Sequence, residues 1–224
     1  SQEKKHVSKY MLDLVKEVKG TQSGECSINE AFNIEFSISQ EHKERINSIL
    51  GAKGIQGEDF LIGIHPGGYY VSQRWPVEKF SRLADAIIEK YKVKVIIVGD
   101  AKEKKLIEKM LGFMKKEAVE FIGLPLDELA ALISLMKLFI CNNSGPLHIA
   151  CALGIPTVST MGPTDPILWW PRGEHHIVIR KNLSCSPCNL GECKKHDCME
   201  LITVEEMLKA VDIQMQRINK YLIR

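Results

Sequence analysis

Short apolar runs alternate with longer segments of helical spacing through the middle of this chain. Phe60–His65 ("FLIGIH"), Val93–Val98 ("VKVIIV"), Val119–Ile122 ("VEFI"), Leu138–Cys141 and Thr157–Thr160 are nearly continuous in apolar or β-branched residues, and most end at Gly, Pro, Asn or Asp. Between them, Val77–Tyr91, Lys102–Met114, Leu126–Met136 and Leu147–Leu153 repeat apolar residues three and four apart, as helices with one buried face do. Strands without polar alternation that take turns with helices imply a parallel sheet covered on both faces. The predicted fold class is therefore α/β, a doubly wound parallel sheet whose ligands sit outside the carboxyl ends of its strands.

The two ends of the chain depart from that rhythm. Residues 1–57 are more polar, with one helix predicted near His6–Val18, a strand-like "FNIEFSI" at Phe32–Ile38 and a helix near Gln40–Leu50. Thr203–Tyr221 reads as a closing amphipathic helix, in which Met207, Val211, Met215 and Ile218 form a stripe suited to core packing. The chain contains no internal repeat and no low-complexity segment.

Composition narrows the function classes. A length of 224 residues suits one large domain or a domain with an appendage, and 45% hydrophobic with 26% charged residues is ordinary for a globular chain. The net charge of +2 is too small for a charge-driven nucleic-acid binder. No apolar run approaches the roughly 18 residues that span a bilayer, and no secretory signal pattern opens the chain, so the expected address is cytoplasmic. Seven cysteines, an odd number, do not resemble a secreted disulfide framework.

The strand ends carry the candidate chemistry. "HPGG" after the first run places Pro66, Gly67 and Gly68 where the backbone turns in the open, and "SQRWP" follows, with Gln73, Arg74 and Trp75. "VGDAKE" after the second run sets Glu103 on the first turn of the next helix, just beyond Gly99. After the fourth comes "NNSGPLH", in which Gly145 and Pro146 suit a helix start whose free N–H groups attract anions. Asn143 and Ser144 can cap that helix and do nothing more, Glu103 can complement a helix dipole, and His148 can be a structural histidine. The convergence of three such loops on one sheet edge points instead to a phosphorylated ligand. Trp75 reads as a packing anchor beneath its loop.

Taken together, "IGIHPGG", "RWPVEKF", "VIIVGDAKE", "NNSGPLHIACALGIPTVSTMGPT" and "CSPC" before "LITVEEM" resemble, in order and approximate spacing, the family 9 glycosyltransferases, from Phe60 to Val211. The similarity is to the carboxyl-terminal domain of ADP-heptose:lipopolysaccharide heptosyltransferases. It implies the C-terminal, Rossmann-like half of a GT-B enzyme that binds the nucleotide sugar, while the other half carries the acceptor site and an Asp acting as general base. The implied transfer inverts the anomeric centre and needs no metal or other cofactor at the chemical step. By this resemblance, residues 1–57 are the remnant of the amino-terminal domain with a linker and residues 58–224 the donor domain. The isolated chain is then expected to be inactive for want of the acceptor domain and its base.

The same resemblance implies donor-binding roles for Pro66, Gly67, Gly68, Gln73, Arg74, Gly99, Glu103, Asn143, Ser144, Gly145 and His148. Ser144 and Gly145 would meet the diphosphate with His148 one turn on, and Glu103 would accept from the ribose hydroxyls. Two positions depart from the family pattern. Gln73 stands where many members carry a phosphate-neutralising Lys, with Arg74 alongside, and Asn143 stands where an Asp is usual. The implied partners are a nucleotide sugar, ADP-heptose first, and a lipopolysaccharide-type acceptor reached through the other domain. At most peripheral contact with the inner membrane is expected, and no nucleic acid.

Cys185, Cys188, Cys193 and Cys198 form a C-x2-C-x4-C-x4-C run able to wrap one tetrahedral zinc. The spacing equals that of a nucleic-acid-binding zinc knuckle with Cys in its third place, but no aromatic residue lies between the cysteines to stack a base. A structural zinc staple, free thiols and a disulfide pair all stay open from spacing alone. Two function classes therefore follow: a glycosyltransferase donor domain, or a non-catalytic nucleotide- or partner-binding module derived from it.

Overall fold

The computed structural model describes residues 4–9 and 37–222. Much of the predicted amino-terminal helix (His6–Val18) and of the Phe32–Ile38 strand, together with Cys26, lies outside the described residues. Helical backbone is present at 7–9, while 37–39 are irregular.

The centre of the molecule is a six-stranded, all-parallel sheet of order β3-β2-β1-β4-β5-β6. Its strands are β1 (Leu61–His65), β2 (Lys94–Gly99), β3 (Val119–Ile122), β4 (Leu138–Asn142), β5 (Thr157–Thr160) and β6 (His176–Ile179). This is the doubly wound, Rossmann-like order, in which the direction of winding reverses between β1 and β4. Eight α-helices are described: α1 (Gln40–Ala52), α2 (Val77–Tyr91), α3 (Lys104–Phe113), α4 (Leu126–Ser134), α5 (Gly145–Ala152), α6 (Pro166–Trp169), α7 (Asp197–Glu200) and α8 (Val204–Leu222).

Side chains of the central strands feed two cores in alternation. Ile62, Ile64, Val95, Ile97, Leu138 and Ile140 point to a core closed by Phe80, Leu83 and Ile87 of α2, Ile107 and Met110 of α3, and Met207, Val211 and Met215 of α8. Leu61, Ile96, Val98, Phe139 and Cys141 face the opposite core, closed by Ile46 and Leu50 of α1, Leu132 of α4, and Leu147 and Ala150 of α5. Burial on both faces is why these strands read as apolar runs rather than as alternating ones. The stripe of α8 is core packing, as its spacing implies.

β6 is absent from the sequence-based expectation. It is an edge strand of four half-buried residues, introduced by His175 and His176, so its apolar signal is weak. Trp75 is fully buried and donates its indole N–H to the Ile202 carbonyl at 3.0 Å, which makes it the anchor expected beneath the β1 loop. Among the described residues no helix is long and apolar enough to cross a membrane.

Candidate functional site

Parallel strands all deliver their carboxyl ends to one edge, and at the β1/β4 switch point the flanking loops diverge and leave a crevice. Here that crevice is a cleft of about 410 Å³. Its lining combines the end of β1 (His65, Gly68, Tyr69, Arg74), the end of β2 (Gly99, Lys102, Glu103) and the start of α5 (Ser144, Gly145), with Leu124 and Leu129 as apolar wall.

Asn142, the last residue of β4, holds the crevice open from beneath. Its side-chain amide donates to the carbonyls of Pro66 (2.9 Å) and Gly67 (2.8 Å). Its Oδ1 accepts from the Trp75 N–H (2.9 Å) and from the Thr160 hydroxyl (2.7 Å). One fully buried amide thus ties β4, β5 and the loop after β1, with all its partners in place.

Glu103 is turned inward from the 3-10 turn Ala101–Glu103. Its Oε1 accepts from the Gly68 N–H at 2.9 Å, and its Oε2 from the Asp100 N–H at 3.0 Å and from Nε2 of His65 at 3.0 Å. Burial alone would raise this carboxyl. The hydrogen bond from His65, the imidazole's charge at acid pH and the two backbone N–H groups outweigh burial and hold it at about 2. A Cβ on Gly67 would lie 1.8 Å from Glu103 Oε1, and one on Gly99 would lie 2.6 Å from Ile107 and 3.0 Å from Glu103 Oε2. These two glycines make room for the carboxylate, a more specific role than an open turn.

Ser144 ends β4's loop and precedes α5, yet its side chain makes no capping hydrogen bond. Its hydroxyl lies 3.2 Å from Nδ1 of His65 and 3.3 Å from the Asn142 carbonyl. The simple capping role is therefore not the one it plays. Pro146 occupies the first turn of α5, whose first N–H groups have no intrahelical acceptor and open toward the cleft with Gly145.

Of the residues singled out from sequence, Gly68, Arg74, Gly99, Glu103, Ser144 and Gly145 share the cleft wall. Arg74 also grips the Gly68 carbonyl through Nε (2.9 Å) and Nη2 (2.7 Å). Pro66 and Gly67 sit just behind, as acceptors of Asn142. Gln73 accepts from the Tyr70 N–H and donates to Thr164 at 3.3 Å, outside the cleft lining. Asn143 is buried and donates to the Trp169 carbonyl at 3.0 Å. His148 lies 6.1 Å from the Trp169 ring, and burial and then the charge of His6 lower its pKa. His148 thus belongs to a neighbouring cluster rather than to the cleft wall. Sequence reasoning missed His65, Asn142 and Lys102. A lone His closing an apolar strand just before "PGG" was the available signal for the first of them.

The cysteine loop flanks this site. Ser72 donates its hydroxyl to the Leu190 carbonyl (2.5 Å) and its N–H to the Gly191 carbonyl (3.2 Å), and its own carbonyl lies 2.9 Å from Nε2 of His196. Cys185, Cys188 and Cys193 are exposed and Cys198 is buried. Burial pushes the Cys198 thiol up to about 11, and the charges of Cys188, Cys193 and Cys185 add to the effect, so the sulfurs are neighbours. Among the described residues, however, no group of three or more His, Cys, Asp or Glu side chains converges as metal ligands.

Comparison with known proteins adds a family. The model for glycosyltransferase family 9 (heptosyltransferase) matches residues 3–199. Lipooligosaccharide heptosyltransferase 2 of Campylobacter jejuni subsp. jejuni serotype O:6 is 26% identical over 159 residues, covering 67% of this chain and 50% of that protein. Lipopolysaccharide heptosyltransferase 2 of Escherichia coli K12 is 29% identical over 166 residues, covering 70% of this chain and 47% of its own. The chain spans about half the length of these curated relatives. Among solved structures, a family 9 glycosyl transferase from Veillonella parvula superposes with a TM-score of 0.79 at 21% identity, over 97% of this chain and 62% of that one. E. coli ADP-heptose lps heptosyltransferase II gives 0.69 at 24%, over 82% and 54%. At such identities these structures establish the fold alone.

Proposed function

The chain belongs to glycosyltransferase family 9, and from that premise we propose that it supplies the donor side of a heptosyltransferase of lipopolysaccharide core synthesis. It binds a nucleotide sugar, ADP-heptose first, in the β1/β4 crevice for inverting transfer to a core acceptor. The observation that carries this reading is the convergence of several strand ends and one helix start on a single cleft lined by the Glu103 carboxylate, the Ser144 hydroxyl and the cations Arg74 and Lys102.

Each group suits one part of such a donor. The α5 start and Ser144 face a diphosphate, and Arg74 and Lys102 supply positive charge beside it. Glu103, kept ionised, is an acceptor for sugar hydroxyls. Leu124 and Leu129 give an apolar wall for a base. As the glycosidic bond breaks, the leaving nucleoside diphosphate gains negative charge, and preorganised donors at the α5 start stabilise that charge more than the ground state. The acceptor hydroxyl, deprotonated by a base of the family's other domain, attacks the anomeric carbon from the opposite face. Other heptosyltransferases of the same fold are described with ADP and with ADP-D-beta-D-heptose bound, which favours adenine as the base. The cysteine loop enters this reading as a brace for the Tyr70–Gln73 turn.

Calorimetric titration of the chain with ADP, UDP, GDP and ADP-heptose tests it. Adenine-selective binding, weakened about tenfold or more by Ser144→Ala and by Glu103→Ala, is the expected result. A folded chain that binds none of the four would sink the reading.

A further inference from the structure

His65 is a buried imidazole, 4% exposed, wedged between the two groups to which the donor reading gives its ribose and phosphate contacts. Nε2 lies 3.0 Å from Glu103 Oε2 and Nδ1 lies 3.2 Å from Ser144 Oγ. Glu103 is ionised and can only accept, so Nε2 carries a proton in every state of the ring at neutral pH. All the freedom lies at Nδ1. When it is bare, it takes the Ser144 O–H and leaves the hydroxyl's lone pairs toward the cleft. When it is protonated, it donates to Ser144 Oγ, and the hydroxyl proton leaves Nδ1 for the Asn142 carbonyl, 3.3 Å away, or for an acceptor that enters the cleft. An anion in the cleft favours the second arrangement twice over, through the freed O–H donor and through the charge of an imidazolium beside it.

We propose that His65 is a positioning residue that turns Ser144 from acceptor to donor on arrival of a nucleoside diphosphate, by taking one proton from solvent at Nδ1. This assignment rests on the donor-site reading above and deepens it. The proton stays on the ring while the diphosphate is bound and returns to solvent when it leaves. Glu103 offsets the new positive charge from the other side of the ring. The other titratable or charged side chains of the cleft wall are Tyr69, Arg74, Asp100 and Lys102, and the buried Cys141 thiol lies opposite His65 on β4. None of them bridges Glu103 to Ser144.

The test is calorimetric titration of ADP into the full chain in buffers of different ionisation heat, above about pH 7.5, where the nucleotide's phosphates are already ionised. The expected result is uptake of about one proton per ADP and an apparent Kd that rises by up to about tenfold per pH unit. In His65→Gln, whose amide can still bond both neighbours but cannot gain charge, uptake is expected to vanish and the Kd to become flat with pH. ADP binding without uptake, or undiminished uptake in His65→Gln, would overturn the proposal and leave the donor reading standing. No binding of ADP, UDP or GDP to the folded chain would overturn both. Should His65→Gln not fold, nitrogen NMR of the wild-type imidazole decides: a bare Nδ1 that becomes protonated on adding ADP supports the proposal, and an unchanged Nδ1 refutes it.

Discussion

The β1/β4 crevice and the cysteine loop are the two most conspicuous features of this sequence, and the fold treats them differently. In the crevice, residues up to 79 positions apart meet because adjacent parallel strands bring their ends together, as His65 and Ser144 do at 3.2 Å. The cysteine loop is compact in sequence, yet three of its thiols face solvent, and among the described residues no group of three or more ligand side chains converges. Hydrogen bonds to Ser72 and Pro163 hold it in place, and the His196 N–H donates to Cys193 Sγ within it. The contrast teaches that spacing along a chain fixes which atoms can meet, whereas a sheet fixes which atoms do meet.

Removing the crevice's buried hub should break that contrast most severely. Asn142→Ala strips partners from two carbonyls, one backbone N–H and one hydroxyl in the interior, and a loss of ~3 kcal/mol or more in denaturant-derived stability is expected. If the loss stayed below ~1 kcal/mol, Asn142 would not be the hub that ties β4, β5 and the loop after β1.

Gly67→Ala should weaken binding and stability together. The added methyl meets the Glu103 carboxylate, so Glu103 is pushed away from His65 and Gly68 and its hydrogen bonds there are lost. Nucleotide affinity is expected to fall about tenfold, and the unfolding midpoint at neutral pH to fall with it. Titration paired with thermal unfolding separates the two effects.

Acid titration sharpens the comparison next. Glu103 is held at about 2 in the folded chain against an ordinary value of 4.5, so its contribution to stability is complete above the ordinary value and is lost as pH falls toward the folded one. In Glu103→Gln this segment of the acid-stability curve should flatten. An identical curve would mean that the carboxylate's bonds are not formed in solution.

The smallest effect is expected at the exposed thiols. Cys185→Ser, Cys188→Ser and Cys193→Ser should each shift stability by less than ~0.5 kcal/mol, as surface changes do. A loss several times larger in thermal unfolding would show that the sulfurs share a bond or a ligand after all.

Much of the site was legible because its loops use residue types with narrow physical uses. Pro66, Gly67 and Gly68 marked a turn with open backbone, Gly145 and Pro146 marked a helix start, and Glu103 marked an acceptor near a strand end. Asn142 was hidden beside the more suggestive Asn143, since nothing in the pair tells which side chain points beneath the loop after β1 and which reaches the Trp169 carbonyl. His148 looked like a member of the cleft because it lies one turn beyond it. Its rotation on α5 sends it to Trp169 instead.

The sequence by itself determined the α/β class and the burial of the central strands on both faces. Apolar period and turn residues are local properties, and they need no knowledge of what lies across the sheet. It also determined the family, through motifs whose order survives without a structure. Tertiary structure alone decided the strand order with its switch point, the Glu103–His65–Ser144 chain and which of the clustered cysteines face solvent. Each of these depends on the register and rotation of elements distant in the chain, and such contacts are set by packing rather than by the spacing of residues along it.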